Sequence, residues 1–371
     1  MIRAFLVDDE QPARDRLKRL LAEMPGVAIV GEACDGEEAL REIPRVAPDL
    51  VFLDIQMPGL TGMEVAATLP PPRPRIIFCT AFDQYAIQAF ENHAVDYLLK
   101  PLNRDRLAGA VERIGSMVES GERMQREILT ASKTQAGLFP AGFRPTERLE
   151  VGGVCRPARQ VGGDYYDFLP LGDGRIALAV GDVSGKGLFA GLLMAGLQGR
   201  LQALARRYPD DLAGLFDELN RAMHAITGSN RYATLFYGVF DERTRRLDYV
   251  NAGHPAPLWL HGETGTHPGV SGTSTLDPTG TVVGLLPEAR FAKATVQLHS
   301  GDHLLIFSDG LIETRGLQGM ELGARGVEGA ARACLEAGVD QIRDRILAEA
   351  DRLRDGSEPE DDVTLVVVRV L

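Results

Sequence analysis

Two aspartates, Asp164 and Asp182, stand nine residues on either side of Asp173 in the stretch GGDYYDFLPLGDGRIALAVGDVSGKG, residues 162–187. The flanks YYDFLPL and RIALAV are aromatic and β-branched runs of strand length, and Gly172-Asp173-Gly174 between them is a turn sequence. Such a pattern reads as a β-hairpin. In that register the two aspartates lie across from each other. Directly opposed like charges destabilise a strand pair, and two carboxylates about 5 Å apart repel by roughly 3 kcal/mol at an effective dielectric near 20. The hairpin therefore requires a cation between them or a proton on one of them.

Further acids stand at strand ends in the same half of the chain. HLLIF runs into Ser308-Asp309-Gly310, and Asp361-Asp362 precede VTLVVVRV. Taken singly, each reads more readily as a turn or solvated loop residue. Together Asp164, Asp182, Asp309 and Asp361 would make an oxygen-only cage suited to Mg²⁺ or Mn²⁺. Two such ions held close together can activate water and clamp a phosphoryl oxygen. Zinc would want His or Cys, and His254 in NAGHP is the one obvious candidate. GDVSGKG imitates a nucleotide-binding loop but fails, because Lys186 is followed by Gly187 rather than Ser or Thr. The polar, Gly/Thr-rich loop 262–280 is expected to be mobile and to carry no chemistry.

The first 118 residues follow another logic. RAFLV runs into Asp8, Asp9 and Glu10; LVFL into Asp54; RIIFC into Thr80; and VDYLL into Lys100-Pro101. Helix-period segments such as PARDRLKRLLAEM and GEEALREI lie between. Alternating strands and helices imply a parallel sheet with its crevice at the carboxyl ends of the strands, where these polar termini would meet. Three clustered carboxylates can hold Mg²⁺. Asp54, leading into the loop IQMPGLTGME, can attack phosphorus to give an aspartyl phosphate, with Lys100 and the Thr80 hydroxyl binding its oxygens.

From residue 103 to Pro140 the chain is rich in helix formers. Ala110, Ile114, Met117, Gly121, Met124, Ile128 and Ala131 recur at spacings of four and three, a thin heptad seam that also fits one amphipathic helix packing on its own domain. The favoured expectation is a linker helix over 103–140 that continues the last helix of the first domain and pairs with a second copy.

The 371 residues allow two or three domains, and 44% hydrophobic with 25% charged residues is ordinary for a soluble globular chain. A net charge of −12 argues against nucleic acid as a partner, and RDRLK and DERTRR mix both signs rather than forming a basic patch. Cys34, Cys79, Cys155 and Cys334 form no CxxC pair, and MIRAFLVDDE is not a secretory signal. No apolar run of membrane-spanning length is apparent, so a cytoplasmic protein is expected.

LVDDE, VFLDIQMPGLTGMEV and CTAFDQYAIQAFENHAVDYLLKP resemble the receiver domains of bacterial response regulators across residues 1–118. The resemblance implies a flavodoxin-like (βα)5 fold, phosphorylation of Asp54 by a cognate histidine kinase, and Mg²⁺ on Asp8, Asp9 and Asp54. Gln56 and Lys100 join that site by the same resemblance, with Thr80 and Tyr97 as the switch pair. AFDQYAIQAF is closest to receivers that usually carry a DNA-binding output. Residues 136–371, however, resemble the PPM-type serine/threonine phosphatases of the SpoIIE branch, with the phosphatase domain itself expected over 141–371. RPARQVGGDYYDF, ALAVGDVSGKGLFAGLLMA, ATLFYGVFD, YVNAGHPAPL, LIFSDGLIE and DDVTLVVVRV carry that likeness.

This second resemblance implies an α/β protein whose C-terminal domain is an α-β-β-α sandwich, with LFAGLLMAGLQGRLQALARR and DLAGLFDELNRAMHAI as its first two helices. It implies two Mn²⁺ or Mg²⁺ ions on Asp164, Asp182, the Val183 carbonyl, Asp309 and Asp361, with Asp362 beside them. Asp361 is read as the ligand and Asp362 as its neighbour. Animal-type members carry Gly-His after the second aspartate; here Val183-Ser184-Gly185 follows Asp182, which leaves water as the simplest general acid. The expected substrate is a phosphorylated anti-sigma-factor antagonist protein. A pseudophosphatase that only binds a partner and a DNA-binding regulator are the rival readings.

Overall fold

The computed structural model describes residues 1–81, 95–227, 230–262, 272–316 and 319–371, with the backbone alone at Glu122. The chain forms two compact units, Met1–Arg126 and Glu127–Leu371.

In the first unit β1 (Ile2–Val7), α1 (Gln11–Ala22), β2 (Val27–Ala33), α2 (Gly36–Val46), β3 (Leu50–Leu53), α3 (Gly62–Thr68), β4 (Arg75–Thr80), β5 (Asp96–Leu99) and α4 (Arg104–Ala136) follow in order. The strands form one parallel sheet, order β2-β1-β3-β4-β5. This is the flavodoxin-like order, whose ligand crevice lies between β1 and β3. Strands covered on both faces read as continuous apolar runs. Phe5, Val7, Val51, Leu53 and Phe78 pack on one side, and Ala4, Leu6, Phe52, Ile77 and Leu98 on the other. Asp35 caps α2 by accepting from the Glu38 amide, and Thr61 with Glu64 forms a capping box on α3. The AFDQYAIQAFENHA stretch lies largely outside the described residues, as does any helix between β4 and β5.

One helix, α4, spans Arg104–Ala136, most of the segment read as a linker. Ala110 and Ile114, first in the heptad pattern, are buried with Leu107 in the core of the first unit. Met117 and Met124, farther along, are exposed. The division between the two units falls within this helix.

The second unit comprises β6 (Leu149–Arg156), β7 (Asp164–Gly172), β8 (Arg175–Val183), α5 (Leu188–Arg207), α6 (Leu212–Thr227), β9 (Ala233–Asp241), β10 (Arg246–Ala252), β11 (Leu258–Leu260), β12 (Thr273–Thr275), β13 (Ala294–Gln297), β14 (His303–Phe307), α7 (Asp309–Ile312), α8 (Gly323–Arg332), α9 (Val339–Arg354) and β15 (Val363–Val370). Its strands make two antiparallel sheets, β13-β10-β9-β8-β7 and β12-β11-β14-β15-β6. Phe168, Ile176, Leu178 and Phe236 from one sheet meet Val151, Trp259, Ile306 and Val366 from the other in a shared core. The outer face of the first sheet is covered by α5 and α6, and that of the second by α8 and α9. The layers run helix, sheet, sheet, helix.

Both helices named from sequence form within a residue or two of the expected limits. Among the described residues, α5 alone has the length and mean hydropathy, 1.2, of a membrane span. Its Met194, Leu197 and Leu201 are fully buried against Leu215, Phe216 and Leu219 of α6, which marks it as a core helix.

Candidate functional site

The site in the second unit is built by the period-2 alternation of strands. Tyr166, Val180, Phe236, Ile306 and Val366 point into the core between the sheets. Two residues nearer one end of the sandwich, the same parity carries Asp164, Asp182, Thr234, Ser308 and Thr364. The apolar core thus ends in a polar layer drawn from five chain segments.

β7 and β8 form the expected hairpin, with Asp164 paired directly with Asp182, and Asp182 paired in turn with Thr234 on β9. The reversal uses positive φ at Gly172, Asp173 and Gly174. Asp164 is 1% exposed and its Oδ2 is buried with no hydrogen-bond partner. Burial, then the Asp182 charge, pushes the Asp164 carboxyl well above the usual range; the nearby Thr364 and Ser308 hydroxyls offset only part of this. Asp182 is pushed up to about 7 by burial and by the charges of Asp309, Asp361 and Asp362, with Lys186 pulling the other way. Asp309, following Ser308 at the start of α7, is raised by burial and then by Asp361. Sequence-distant carboxylates therefore share one neighbourhood that holds more negative charge than it compensates.

That state tests the fit of a divalent cation. A buried carboxylate oxygen without a partner, beside a second carboxylate, offers hard oxygen donors of the kind Mg²⁺ and Mn²⁺ take. Gly163 contributes by lacking a side chain: a Cβ there would lie 2.6 Å from the Val183 carbonyl oxygen and 3.3 Å from Asp182 Oδ1. The Val183 carbonyl thus stands beside Asp182 in a space only glycine leaves open. The four acids do not close on one another, however. Among the described residues, Asp8, Asp9 and Asp54 are the one trio of such groups whose donor atoms all come within 4.8 Å.

Asp361 and Asp362 part company. Asp361 Oδ2 pairs with Lys186 Nζ at 3.0 Å. Asp362 turns inward, where its carboxylate accepts from the amides of Ala158 (2.8 Å), Gly163 (2.7 Å) and Asp164 (3.4 Å). It ties the last strand to the segment that carries Asp164. Gln135, near the end of α4, holds the same segment from the other side: it donates to the Gly162 carbonyl at 2.7 Å and accepts from the Gly162 amide at 3.0 Å.

His254 joins no group of metal-ligand spacing among the described residues. It is 1% exposed, shares a 3.0 Å hydrogen bond with the Thr234 hydroxyl through Nδ1, and is pushed down to about 3 by burial. Sequence reading passed over Lys186, Gln135, Thr234, Ser308 and Thr364. For the last three the signal was available, as the polar residue at the end of an apolar run. Residues 263–271 of the polar loop lie outside the described residues.

In the first unit the polar residues after β1, β3 and β5 meet. Asp8 follows β1, Asp54 follows β3 and Lys100 follows β5. Lys100 Nζ bridges Asp54 Oδ2 at 2.6 Å and Asp8 Oδ2 at 2.7 Å. Burial raises the Asp54 carboxyl, and Lys100 offsets part of that. Burial alone would lower Lys100, but its hydrogen bonds to Asp54 and Asp8 prevail and hold it above its ordinary value. The Gln56 amide donates to Asp54 Oδ1 at 3.3 Å. Thr80 and Tyr97 are buried, with Tyr97 paired to Phe78 and Thr80 to Leu99.

Known proteins divide along the same line. Residues 4–112 match the response regulator receiver domain, and residues 172–371 match the family of stage II sporulation protein E, SpoIIE. Over 115 residues, 31% of this chain and 48% of the relative, the chain is 53% identical to an uncharacterized response regulatory protein of Yersinia pestis. Over 139 residues, 37% of this chain and 56% of the relative, it is 42% identical to the transcriptional regulatory protein BtsR of Escherichia coli K12. The chain spans about half the length of these curated relatives. Its fold is similar to the SiaA-PP2C domain of Pseudomonas aeruginosa, with a TM-score of 0.59 and 18% identity over 67% of this chain and 98% of that one. It is also similar to the RsbU and RsbW domains of Rv1364c from Mycobacterium tuberculosis, with a TM-score of 0.50 and 26% identity over 60% of each chain.

Proposed function

The chain belongs to the SpoIIE family and carries a response regulator receiver domain ahead of its SpoIIE domain, and on that premise we propose that it is a phosphoprotein phosphatase governed by phosphorylation of Asp54. The observation that carries the reading is the direct pairing of Asp164 with Asp182 at the end of the inter-sheet core, with Asp164 Oδ2 left without a partner. Asp164, Asp182, Asp309, Asp361 and the Val183 carbonyl would hold Mn²⁺ or Mg²⁺. Bound there, the cations would supply an activated water and a clamp on the phosphoryl oxygens. The chain's own part is to hold these donors in place: Asp362 and Gln135 fix the backbone on either side of Gly163, and Gly163 leaves Val183 accessible. His254 is buried and held below its ordinary range, so it is not an imidazolium at neutral pH, which is consistent with water as the acid for the leaving group.

The substrate is a phosphoserine or phosphothreonine protein, and an anti-sigma-factor antagonist is the class the family suggests. A histidine kinase is the source of the Asp54 phosphoryl group, received in the cleft of Asp8, Asp9, Gln56 and Lys100, with Thr80 and Tyr97 as the responding pair. Receiver relatives such as BtsR are transcriptional regulators by name, but residues 172–371 match SpoIIE instead. Pairing of two chains through the exposed Met117 and Met124 of α4 is part of the proposal; a monomer mass by light scattering at working concentration would remove it.

Mn²⁺-dependent hydrolysis of a chromogenic phosphate ester by the full chain, abolished in Asp182→Ala, tests the reading. Absence of hydrolysis with Mn²⁺ and with Mg²⁺ would leave the pseudophosphatase alternative.

A further inference from the structure

Lys186 lies between two glycines with positive φ, Gly185 at 110° and Gly187 at 74°, immediately before α5. Its Nζ makes two contacts on the same side of the acid cage. It pairs with Asp361 Oδ2 at 3.0 Å and donates to the Glu360 carbonyl oxygen at 2.6 Å. The charge also reaches Asp182 and Asp309. Neighbouring arginines are engaged elsewhere: Arg315 with Glu321, and Arg354 with Asp351. A cavity of about 280 Å³ opens beside the pair, lined by Lys186, Gly310, Glu360 and Asp361 among others, so the ammonium has room to leave.

We propose that Lys186 is the built-in counter-cation of the acid cage, occupying Asp361 in the metal-free protein and released when a divalent cation takes that carboxylate. The inference rests on the reading of the cage as a metal site. An ammonium 3.0 Å from Asp361 Oδ2 and a divalent cation bound by the same oxygen exclude each other on charge, since their repulsion at such separations exceeds what one shared carboxylate oxygen returns. Lys186 thereby sets the affinity of the cage: it offsets the mutual repulsion of the acids when no metal is bound, and it competes with the metal that binds. Both side chains of the pair are about half exposed, so the competition is modest. The flanking glycines, in conformations that L side chains rarely adopt, place the lysine on the loop that leads into α5.

The test uses the full chain, stripped of metal by chelation, as wild type, Lys186→Gln and Lys186→Arg. Mn²⁺ is titrated calorimetrically, and thermal unfolding is followed with and without Mn²⁺. Lys186→Gln is expected to bind Mn²⁺ about three- to tenfold more tightly and to unfold at a lower temperature than wild type when metal-free. Lys186→Arg, which keeps the charge, is expected to stay near wild type. A purely structural lysine would lower stability with and without metal and leave affinity unchanged or weaker. Equal or weaker Mn²⁺ binding by Lys186→Gln, with wild type binding normally, would overturn this inference alone. Failure of wild type to bind Mn²⁺ at all would take down the cage reading and this inference with it. Lys186→Met answers the same question if Lys186→Gln is not recovered folded.

Discussion

Asp164 and Asp182 are paired residue to residue across β7 and β8, both on the face that points between the sheets. Opposed carboxylates in a half-dry layer are a standing cost to the fold unless a cation joins them. Asp182→Asn should therefore move activity and stability in opposite directions. Metal-dependent ester hydrolysis should fall by about 100-fold or more, while the metal-free protein gains about 1 kcal/mol. That corresponds to roughly 2–4 °C in the unfolding midpoint for a domain of this size. Scanning calorimetry after chelation checks the second half, and a metal-free variant less stable than wild type would contradict it.

The pH dependence follows from the same charges. Asp164, Asp182 and Asp309 all titrate higher in the folded protein than in the unfolded chain, where an aspartate ionises near 3.9. Raising the pH from about 4 lets the unfolded state shed these protons first, so the metal-free fold loses stability up to about pH 7, where Asp182 ionises in the folded protein. Metal binding needs the carboxylates ionised, so Mn²⁺ affinity should strengthen across the same interval. The stability difference between Asp182→Asn and wild type should widen from pH 4 to pH 7, measured by denaturant unfolding in chelator.

Adjacent aspartates should behave unlike each other. Asp362 accepts from three backbone amides and is buried, whereas Asp361 faces Lys186 and the cage. Asp362→Ala leaves those amides without an acceptor and should cost about 2–4 kcal/mol. Asp361→Asn should leave stability within about 1 kcal/mol of wild type and weaken Mn²⁺ binding instead. Urea unfolding and calorimetric titration of the two variants separate these roles.

Gln135 satisfies both backbone groups of Gly162, two residues before Asp164. Gln135→Leu keeps the bulk and removes both hydrogen bonds, at a cost of about 1–3 kcal/mol. Because the released segment carries Asp164, weaker Mn²⁺ binding should accompany the loss. Unchanged metal affinity in a destabilised Gln135→Leu protein would mean that the clamp does not position Asp164.

For the receiver, a small-molecule phosphoryl donor with Mg²⁺ should label wild type but not Asp54→Ala, and should change the phosphatase rate of wild type alone. An identical rate response in both proteins would refute control through Asp54.

Much of this molecule was legible locally. Turn chemistry and strand alternation put Asp164 opposite Asp182, a relation that depends on only the nineteen residues between and including them. The family resemblance placed α5 and α6, and polar residues at the ends of apolar runs located the Asp8, Asp54 and Lys100 cleft. β2 gave no such run, because it is an edge strand and only half buried, so its residues need not be uniformly apolar. The packing of the sheets decided the rest. Asp362 reaches the Gly163 amide from 199 positions away, Ser308 and Thr364 bond each other across β14 and β15, and Lys186 meets Asp361 only because β8 and β15 end at the same edge of the sandwich. Local periodicity dictates which way a side chain points; which other side chain it meets depends on sheet order and register, and those are set by the burial of the whole core.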